Sequence, residues 1–272
     1  MKILVTIKQV PDPEQRPKFK GNALDFTGAS WVVNTFDEYA VETALRLTEN
    51  AATGARVGEV IILTIGPKDA AQRLRQMLAM GADRAVLVEA RDEDLEADVV
   101  ARIVEAIVAR EKPDLVLLGK QTVDGDTNQV GQLTAGRLSW PQATFAASID
   151  LAADGKTVTV GREIDSGVEQ KKVPLPAIVT VDLRIVAPKA VVNHVTPDSH
   201  AYADGPRYAS LKGIMAAKKK ELKEIPLAEL GISTTPRVRW LAIDAPAARQ
   251  AGIKVADVTE LVRRLHDEAK VL

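Results

Sequence analysis

The chain has no cysteine among its 272 residues. This absence excludes disulfide bonds, thiolate metal sites and a cysteine nucleophile. Histidine is almost as scarce, with three residues, and His194 and His200 lack an evident third ligand for a metal. No Ser-His-Asp arrangement can be recognised. We therefore predict neither catalytic residues nor a metal site.

Charge of one sign and long hydrophobic runs are also lacking. The formal net charge is −1, so no overall field draws the chain to nucleic acid or to a membrane surface. No apolar run approaches the roughly 20 residues that a membrane helix needs. The opening run MKILVTIKQV is too short for the apolar part of a signal peptide. We expect a cytoplasmic protein that binds no nucleic acid and does not insert into a membrane.

Apolar runs alternate with helical patterns through the first half of the chain. Strands are predicted at residues 2–7, 59–65, 84–88 and 115–118, and helices at residues 37–47, 69–80 and 95–108. This alternation is typical of parallel βαβ units, so the predicted fold class is α/β with a doubly wound parallel sheet. Ligands bind such sheets beyond the carboxyl ends of the strands. The relevant strand exits are residues 7–8, 65–66 and 119–120.

The second half has a different texture. Period-two alternation predicts added antiparallel strands at residues 144–151, 157–164 and 168–173, with a hairpin turn at Asp154-Gly155. A buried run follows at residues 177–183. After Arg184, prolines and polar residues predict a long loop, then helices at residues 214–222 and 255–271.

We therefore predict two domains. Residues 1–185 form an α/β domain, and residues 186–272 form a long loop and a C-terminal arm that wraps a partner.

Residues 115–138 carry the strongest local signal, LVLLGKQTVDGDTNQVGQLTAGRL. A strand, a glycine-containing loop and a helix start make an arrangement suited to phosphate, because free backbone amides and the helix dipole favour an anion there. The glycine spacing fits neither the dinucleotide fingerprint nor the phosphate loop. Asp124 and Asp126 suit ribose hydroxyls or helix capping better than phosphate. Nucleotide binding and an ordinary strand-to-helix turn both stay open on this pattern.

Five blocks in the same order resemble the β subunit of electron transfer flavoprotein. They are LGKQTVDGDTNQVGQ (118–132), WPQATF (140–145), REIDSG (162–167), LPAIVTVDLR (175–184) and PRYASLKGIMAAKKK (206–220). The resemblance covers nearly the whole chain. It implies that residues 1–185 are a nucleotide-binding domain and that residues 186–272 are a partner-docking loop and a C-terminal arm that wraps the α subunit. It implies an adenine-nucleotide α-hydrolase-like fold and a heterodimer with an α subunit that holds FAD. It also implies an electron carrier, with structural AMP in this subunit, between dehydrogenases such as acyl-CoA dehydrogenases and a quinone oxidoreductase.

The resemblance also implies which residues contact the nucleotide, at the three strand exits. The implied contacts are Thr6, Asn34, Thr35, Phe36, Asp37, Ile65, Gly119, Lys120, Gln121, Thr122, Val123, Asp124, Gly125, Asp126, Thr127, Asn128, Gln129 and Val130.

Partner contacts are implied in two other blocks. Leu211 takes the position of the family's anchor leucine, and we expect Tyr208, Ile214 and Met215 to join it in docking onto a dehydrogenase. Glu163 matches an acidic residue that pairs with the flavin domain of the α subunit. A salt bridge of Glu163 within this chain is an equal alternative.

Two other functions compete with the simple carrier. In electron-bifurcating relatives a second FAD replaces AMP and exchanges hydride with NADH. Thr127 and Val130 favour that version, whereas Asn128, Gln132 and Trp140-Pro141 favour AMP. A stand-alone nucleotide-binding protein or adenylating enzyme is disfavoured, because the chain lacks an S-G-G-x-D-S pyrophosphate loop. Residues 186–205 depart from the family pattern, since simple members join the flanking blocks almost directly.

Overall fold

The computed structural model describes residues 1–235, 237–238, 241–247 and 251–272. Two compact units can be distinguished. The first comprises residues 1–16 and 26–239, and the second comprises residues 17–25 and 240–272. The predicted arm 186–272 includes residues 236, 239–240 and 248–250, which lie outside the described residues. The domain boundary at residue 185 stays a prediction.

Strands and helices alternate as the pattern of the first half predicts. The strands are β1 (Lys2–Ile7), β2 (Gln9–Pro11), β3 (Lys18–Lys20), β4 (Ala23–Asp25), β5 (Trp31–Val33), β6 (Glu49–Asn50), β7 (Ala55–Arg56), β8 (Glu59–Gly66), β9 (Arg84–Glu89), β10 (Leu115–Gly119), β11 (Gln142–Leu151), β12 (Thr157–Ile164), β13 (Gly167–Pro174), β14 (Ala177–Val181), β15 (Val191–Val192) and β16 (Leu222–Pro226). The helices are α1 (Thr35–Leu47), α2 (Ala71–Met80), α3 (Ala97–Glu111), α4 (Val130–Leu138), α5 (Leu211–Ala217) and α6 (Val258–Asp267).

A large mixed sheet organises the first unit. Its strand order is β13-β12-β11-β14-β10-β1-β8-β9-β16. The short strand β15 also pairs with β11. Within this order, each neighbouring pair of strands from β11 to β16 is parallel. Strands β12 and β13 are antiparallel additions beyond β11. The α/β class with a parallel central sheet is therefore confirmed. The expectation that residues 144–151 are only an antiparallel addition is wrong, because β11 joins β14 in parallel.

The continuous apolar runs have a simple cause, which is that both faces of the sheet are covered. In β1, Ile3 and Val5 pack into one core cluster with α1 and α2, whereas Leu4 packs into another with α3 and α4. Successive side chains of a strand point to opposite faces, so a strand buried on both faces has no polar alternation. The parallel strands accordingly read as unbroken hydrophobic segments.

The predicted helix at residues 214–222 is wrong in its second half. Helix α5 ends at Ala217, and Leu222 already belongs to the edge strand β16, where it pairs in parallel with Ala85. Pro226 favours an extended conformation for the residue before it. That residue, Ile225, is buried in the core cluster that α3 and α4 form with the sheet. The extended state therefore prevails over the helical pattern.

The second unit contains the β3–β4 hairpin and α6. The backbone amide of Ile243 donates to the carbonyl oxygen of Asn22 at 3.2 Å. Helix α6 is shorter than predicted and begins after Asp257, whose carboxylate accepts from the amide of Glu260 at 2.8 Å. This N-cap satisfies one of the free amides at the helix start. Among the described helices, none is long and apolar enough to cross a membrane.

Candidate functional site

The strand order reverses at the centre of the large sheet. From β1 the chain adds β8 and β9 on one side, and then crosses through α3 to place β10 on the other side of β1. The carboxyl ends of neighbouring strands diverge at such a reversal and leave a crevice for a ligand. We call this place, with residues 34–37 and 119–130 and with Lys8, the switch-point edge.

Asp37 joins the two strands at this edge. Its carboxylate accepts from the amide of Lys8, just after β1, at 2.8 Å and from the amide of Gly119, at the end of β10, at 3.1 Å. The side chain is almost wholly buried. Burial raises the pKa of Asp37 to about 7, although the two amide donors and the Lys8 cation favour the charged form. One carboxylate in the first turn of α1 thus fixes both strand exits.

Asn34 holds the loop that leaves β10. Its side-chain amide donates to the carbonyl oxygen of Gln121 at 2.9 Å, and its side-chain oxygen accepts from the amide of Val123 at 3.1 Å. Asn34 is fully buried at the start of α1. Because both ends of its amide group are used on backbone, Asn34 keeps residues 121–123 in one conformation.

Gly119 and Gly131 are required by close packing. A Cβ atom on Gly119 would lie 2.6 Å from Cβ of Phe36 and would also overlap the carboxylate of Asp37. A Cβ atom on Gly131 would lie 2.5 Å from the methyl group of Thr180. Real Cβ atoms do not approach so closely, so both positions are restricted to glycine. The start of α1 and the start of α4 can therefore press against the sheet.

Two lysines at the edge are already paired. The ammonium of Lys8 lies 2.6 Å from the carboxylate of Asp124, and that of Lys120 lies 2.6 Å from the carboxylate of Asp182. Burial opposes ionisation of both acids, but the lysines outweigh it and hold the pKa of Asp124 and of Asp182 below its usual value. Neither lysine therefore offers an uncompensated charge to an anion.

Two aromatic rings flank Lys120. Its ammonium lies 5.4 Å from the ring centroid of Phe36 and 5.4 Å from that of Phe145. Phe145 has a φ of +58°, a conformation that bulky residues rarely adopt, and its amide donates to the hydroxyl of Thr180 at 3.2 Å. Strain of this kind persists where the surroundings hold a residue in place, often beside a ligand site.

The start of α4 is suited to an anion. Gln129 precedes the helix and makes no side-chain capping bond, and no acidic residue occurs in the first turn. The amides there point out of the helix with the positive end of its dipole. In the same turn Gln132 donates to the side chain of Asn128 at 3.0 Å, while its buried side-chain oxygen has no partner among the described residues.

The remaining expected contacts fall on two sides of the edge. Ile65 and Val130 are partly buried against the cluster below α3, and the alternation of β1 places Thr6 on that same face. Thr35 opens α1 on the opposite face. Residues 122–129 form an open loop between them, in which the amide of Asp126 donates to the carbonyl oxygen of Thr122 at 2.9 Å. The structure thus brings residues 6, 34–37, 65 and 119–130 to one edge.

Two cavities of about 510 Å³ each lie elsewhere in the first unit. One is at the ends of β8, β9 and β16, beside Lys68 and Arg91. The other lies beside Tyr39 and Arg184. Residues 119–130 line neither of them. The described residues also contain no group of three or more histidine and acidic side chains that could hold a metal.

Four apolar side chains project from the segment around α5. Tyr208 is 98% exposed, Leu211 83%, Met215 64% and Ile214 45%. We call these four residues the docking patch. Ser210 begins the helix, and its hydroxyl accepts from the amide of Gly213 at 3.0 Å. The cap makes a helix of seven residues possible while its apolar residues face outward.

Glu163, at the end of β12, forms a salt bridge with Arg184 in this chain. Arg184 is 70% exposed, so solvent reaches the pair from one side. A contact of Glu163 with a flavin domain stays a prediction.

Three residues of the edge were not anticipated as site residues. Lys8 follows β1 directly, and its position at a strand exit was the available signal. Asp182 follows β14 in the same way, and its partner Lys120 follows β10. Phe145 could not have been found, because nothing in its sequence neighbourhood predicts a positive φ.

The arrangement is suited to binding rather than to bond cleavage. Its carboxylates accept from backbone amides or pair with lysines, and its helix start presents amides to an anion. Such a site can hold a nucleotide with the phosphate at α4 and the hydroxyl groups near the loop.

Comparison with known proteins shows the family of the chain. Residues 22–230 match the family model of the electron transfer flavoprotein domain. The chain is 42% identical over 274 residues to electron transfer flavoprotein subunit beta of Bradyrhizobium diazoefficiens, with all of both chains covered.

Similar matches occur in eukaryotes. The human electron transfer flavoprotein subunit beta is 38% identical over 276 residues, and the mitochondrial protein of that name from Oryza sativa subsp. japonica is 40% identical over 278 residues. Each match covers all of this chain and at least 99% of the relative.

Proposed function

Because this chain belongs to the electron transfer flavoprotein family, as a β subunit with a role in electron transfer, we propose that it holds a structural AMP at the switch-point edge. The α subunit of the heterodimer holds the redox-active FAD. Contacts to AMP come from Thr6, residues 34–37, Ile65 and residues 119–130.

The observation that carries this proposal is the contrast between the two helices that start at the edge. Helix α1 has Asp37 and Glu38 in its first turn, whereas α4 has no acidic residue there. An anion therefore favours α4, and Lys8 and Lys120 are already neutralised. The start of α4 can therefore hold the phosphate of AMP. The choice of AMP over FAD rests on Asn128, Gln132 and Trp140-Pro141, which resemble the AMP-holding members of the family.

The residues at the edge fit a nucleotide in other respects. The side-chain oxygen of Gln132, which has no partner among the described residues, offers an acceptor, and the close packing at Gly119 brings the start of α1 against the end of β10. Asn34 and Asp37 hold the loop in place through buried hydrogen bonds. The edge is thus preformed by the fold, as expected of a site for a structural nucleotide.

As a carrier, the heterodimer accepts electrons on the FAD of the α subunit and this chain supplies no redox group. The docking patch meets the electron donor, a dehydrogenase such as an acyl-CoA dehydrogenase of fatty acid β-oxidation. A quinone oxidoreductase then accepts the electrons. An exposed leucine in a small apolar patch supports docking that is specific and quickly reversed.

The test is to purify this chain with its α subunit, denature the complex and identify the released nucleotides by chromatography. One FAD and one AMP for each heterodimer are expected. Two FAD and no AMP would overturn the proposal. That result would favour the bifurcating alternative, in which NADH is oxidised at this subunit.

A further inference from the structure

The docking patch is held in place by charged side chains that no local pattern predicts. Exposed apolar residues that stand together usually mark an interaction surface. A short helix such as α5 is marginal by itself. Its position therefore depends on contacts to the rest of the fold, and these can be traced on both sides of the patch.

On the amino-terminal side, Arg207 immediately precedes Tyr208 and binds two glutamates. Its guanidinium nitrogens lie 2.7 and 3.1 Å from the carboxylate of Glu42 and 2.9 and 2.6 Å from that of Glu49. Its backbone amide also donates to Glu42 at 3.2 Å. Glu42 is 2% exposed, so this pairing is screened little by solvent. The planar guanidinium suits two carboxylates at once, which an ammonium does not.

Arg46 completes the network from the other side of Glu42. It is 2% exposed and lies 2.7 Å from the Glu42 carboxylate. Its remaining nitrogens donate to four carbonyl oxygens at both ends of the segment 186–205: Val186 (2.8 Å), Ala187 (3.2 Å), Ala203 (3.0 Å) and Gly205 (3.1 Å). One buried cation thus ties the two ends of this segment to α1, just before Arg207.

Asn193 anchors the middle of the same segment. Its side-chain amide donates to the carbonyl oxygens of Arg46 at 2.9 Å and of Glu49 at 2.7 Å, at the end of α1. The long loop that the prolines predict is therefore bound to α1 by hydrogen bonds. These contacts hold the residues that lead into the docking patch.

On the carboxyl-terminal side, α5 rests on α2. A Cβ atom on Gly213 would overlap the carbonyl oxygen of Ala79, so the two backbones are in direct contact. Arg75 donates to the carbonyl oxygen of Ala217, the last residue of α5, at 2.6 Å and to that of Lys220, three positions later, at 2.8 Å. The helix is therefore held at both ends while its apolar residues face outward.

We propose that Arg207 is a positioning residue for docking: its pairing with Glu42 and Glu49 pre-orders the docking patch for the apolar pocket of the partner. The proposal rests on the docking role proposed above. A docking patch that is already ordered loses less conformational entropy when it binds the partner. A buried ion network is a poor source of stability, and its better-attested use is to specify one conformation.

The experiment uses the heterodimer as the electron acceptor of a purified acyl-CoA dehydrogenase that is reduced by its acyl-CoA substrate. Arg207→Met should raise the KM for the heterodimer roughly tenfold, which corresponds to about 1.4 kcal/mol of binding, and leave kcat within about twofold. Arg207→Lys, which keeps the charge but not the planar fork, should raise KM by a smaller factor and retain the fold.

Arg137→Met is the matched control. Arg137 is 34% exposed and pairs with Glu105 at 2.7 Å and with Asp98 at 3.8 Å, on the opposite face of the sheet. The side chain of Arg207 is 32% exposed and also has two acidic partners. The control should leave KM unchanged even where it lowers the melting temperature.

Hydrogen exchange of amides 208–217 gives a second readout that does not depend on transfer. Exchange there should accelerate in Arg207→Met and stay at the parent rate in Arg137→Met. An unchanged KM in Arg207→Met, beside a raised KM in Leu211→Ala, would overturn the positioning role and leave the docking role intact. An unchanged KM in both would overturn the two roles together. If Arg207→Met does not fold, Arg207→Lys decides by the same criteria.

Discussion

The switch-point edge and the docking patch differ in which side chains they use and in where those side chains point. At the edge, residues far apart in sequence turn polar groups towards one another, and Asp37 alone joins positions 8 and 119. At the patch, four apolar residues within eight positions turn outward, and the polar contacts lie beneath them. The hydrogen bonds at the edge therefore help to hold the fold together, whereas the patch lies on the surface and depends on the fold for its position.

This difference has a consequence for mutation. A change at the edge alters the ligand site and the stability of the fold together, because the same hydrogen bonds serve both. A change in an exposed side chain of the patch alters contact with a partner and leaves the fold intact. The predictions below test this separation, beginning with the largest expected effect.

Asp37→Asn should change how stability depends on pH. The pKa of Asp37 is raised from 3.8 to about 7 by burial, so between these values the folded state binds more protons than the unfolded chain. The stability that protonated Asp37 contributes is fully present below pH 3.8 and is lost as the pH rises to about 7. Asparagine does not titrate.

Relative to the parent, the free energy of unfolding of Asp37→Asn should therefore rise with pH, by up to about 4 kcal/mol at roughly 1.4 kcal/mol for each pKa unit. Urea unfolding of the heterodimer at several values between about pH 4 and about pH 7 measures this difference. A difference that does not vary with pH would mean that Asp37 is ionised throughout.

Gly119→Ala should destabilise the fold by about 1–3 kcal/mol, because the added methyl group forces the start of α1 away from β10. Nucleotide content should fall with it. Gly136→Ala in α4 is the control, since nothing lies within 4 Å of its Cβ position. That change should stabilise the helix by up to about 1 kcal/mol. Thermal unfolding and nucleotide release measure both, and an unaffected Gly119→Ala would contradict the tight packing at this edge.

Much of the edge was predictable because local signals mark it. The apolar runs of β1, β8 and β10 end in residues that break a buried strand, and helical spacing resumes at Val130, where α4 begins. The roles of Asn34 and Asp37 were implied only by the family resemblance. Their partners at Gln121 and Gly119 lie more than 80 positions away, and no periodicity encodes such pairs.

Less could be predicted beyond Arg184, for the same physical reason. The segment 186–205 is held by hydrogen bonds to backbone rather than by apolar packing: Arg46 donates to its carbonyl oxygens, and Asn193 donates to a carbonyl oxygen of α1. Such bonds leave no apolar periodicity in the sequence. Strand β16 is five residues long and carries one buried residue, Ile225, so no apolar alternation marks it as a strand. Contacts to backbone and single buried residues are the features that sequence patterns miss.

Leu211→Ala should separate docking from stability. Its side chain is 83% exposed, so the free energy of unfolding should stay within about 0.5 kcal/mol of the parent. Electron transfer from an acyl-CoA dehydrogenase should slow roughly tenfold, equal to about 1.4 kcal/mol, because an anchor residue is lost. Val57→Ala, at another exposed apolar residue, is the control and should leave transfer unchanged. Equal transfer rates in Leu211→Ala and the parent would remove Leu211 from docking.

Asp124→Asn should have only a small effect on stability and still reveal the ligand. The Lys8–Asp124 pair is partly open, with side chains 47% and 27% exposed, so its loss should cost under about 1 kcal/mol. Without the pair, the loop is tied to β1 less firmly, and AMP should be lost faster during extensive dialysis. Added salt should narrow the difference, because exposed pairs are screened. Unaltered AMP occupancy would show that the edge retains its ligand through Asn34, Asp37 and α4 without help from this pair.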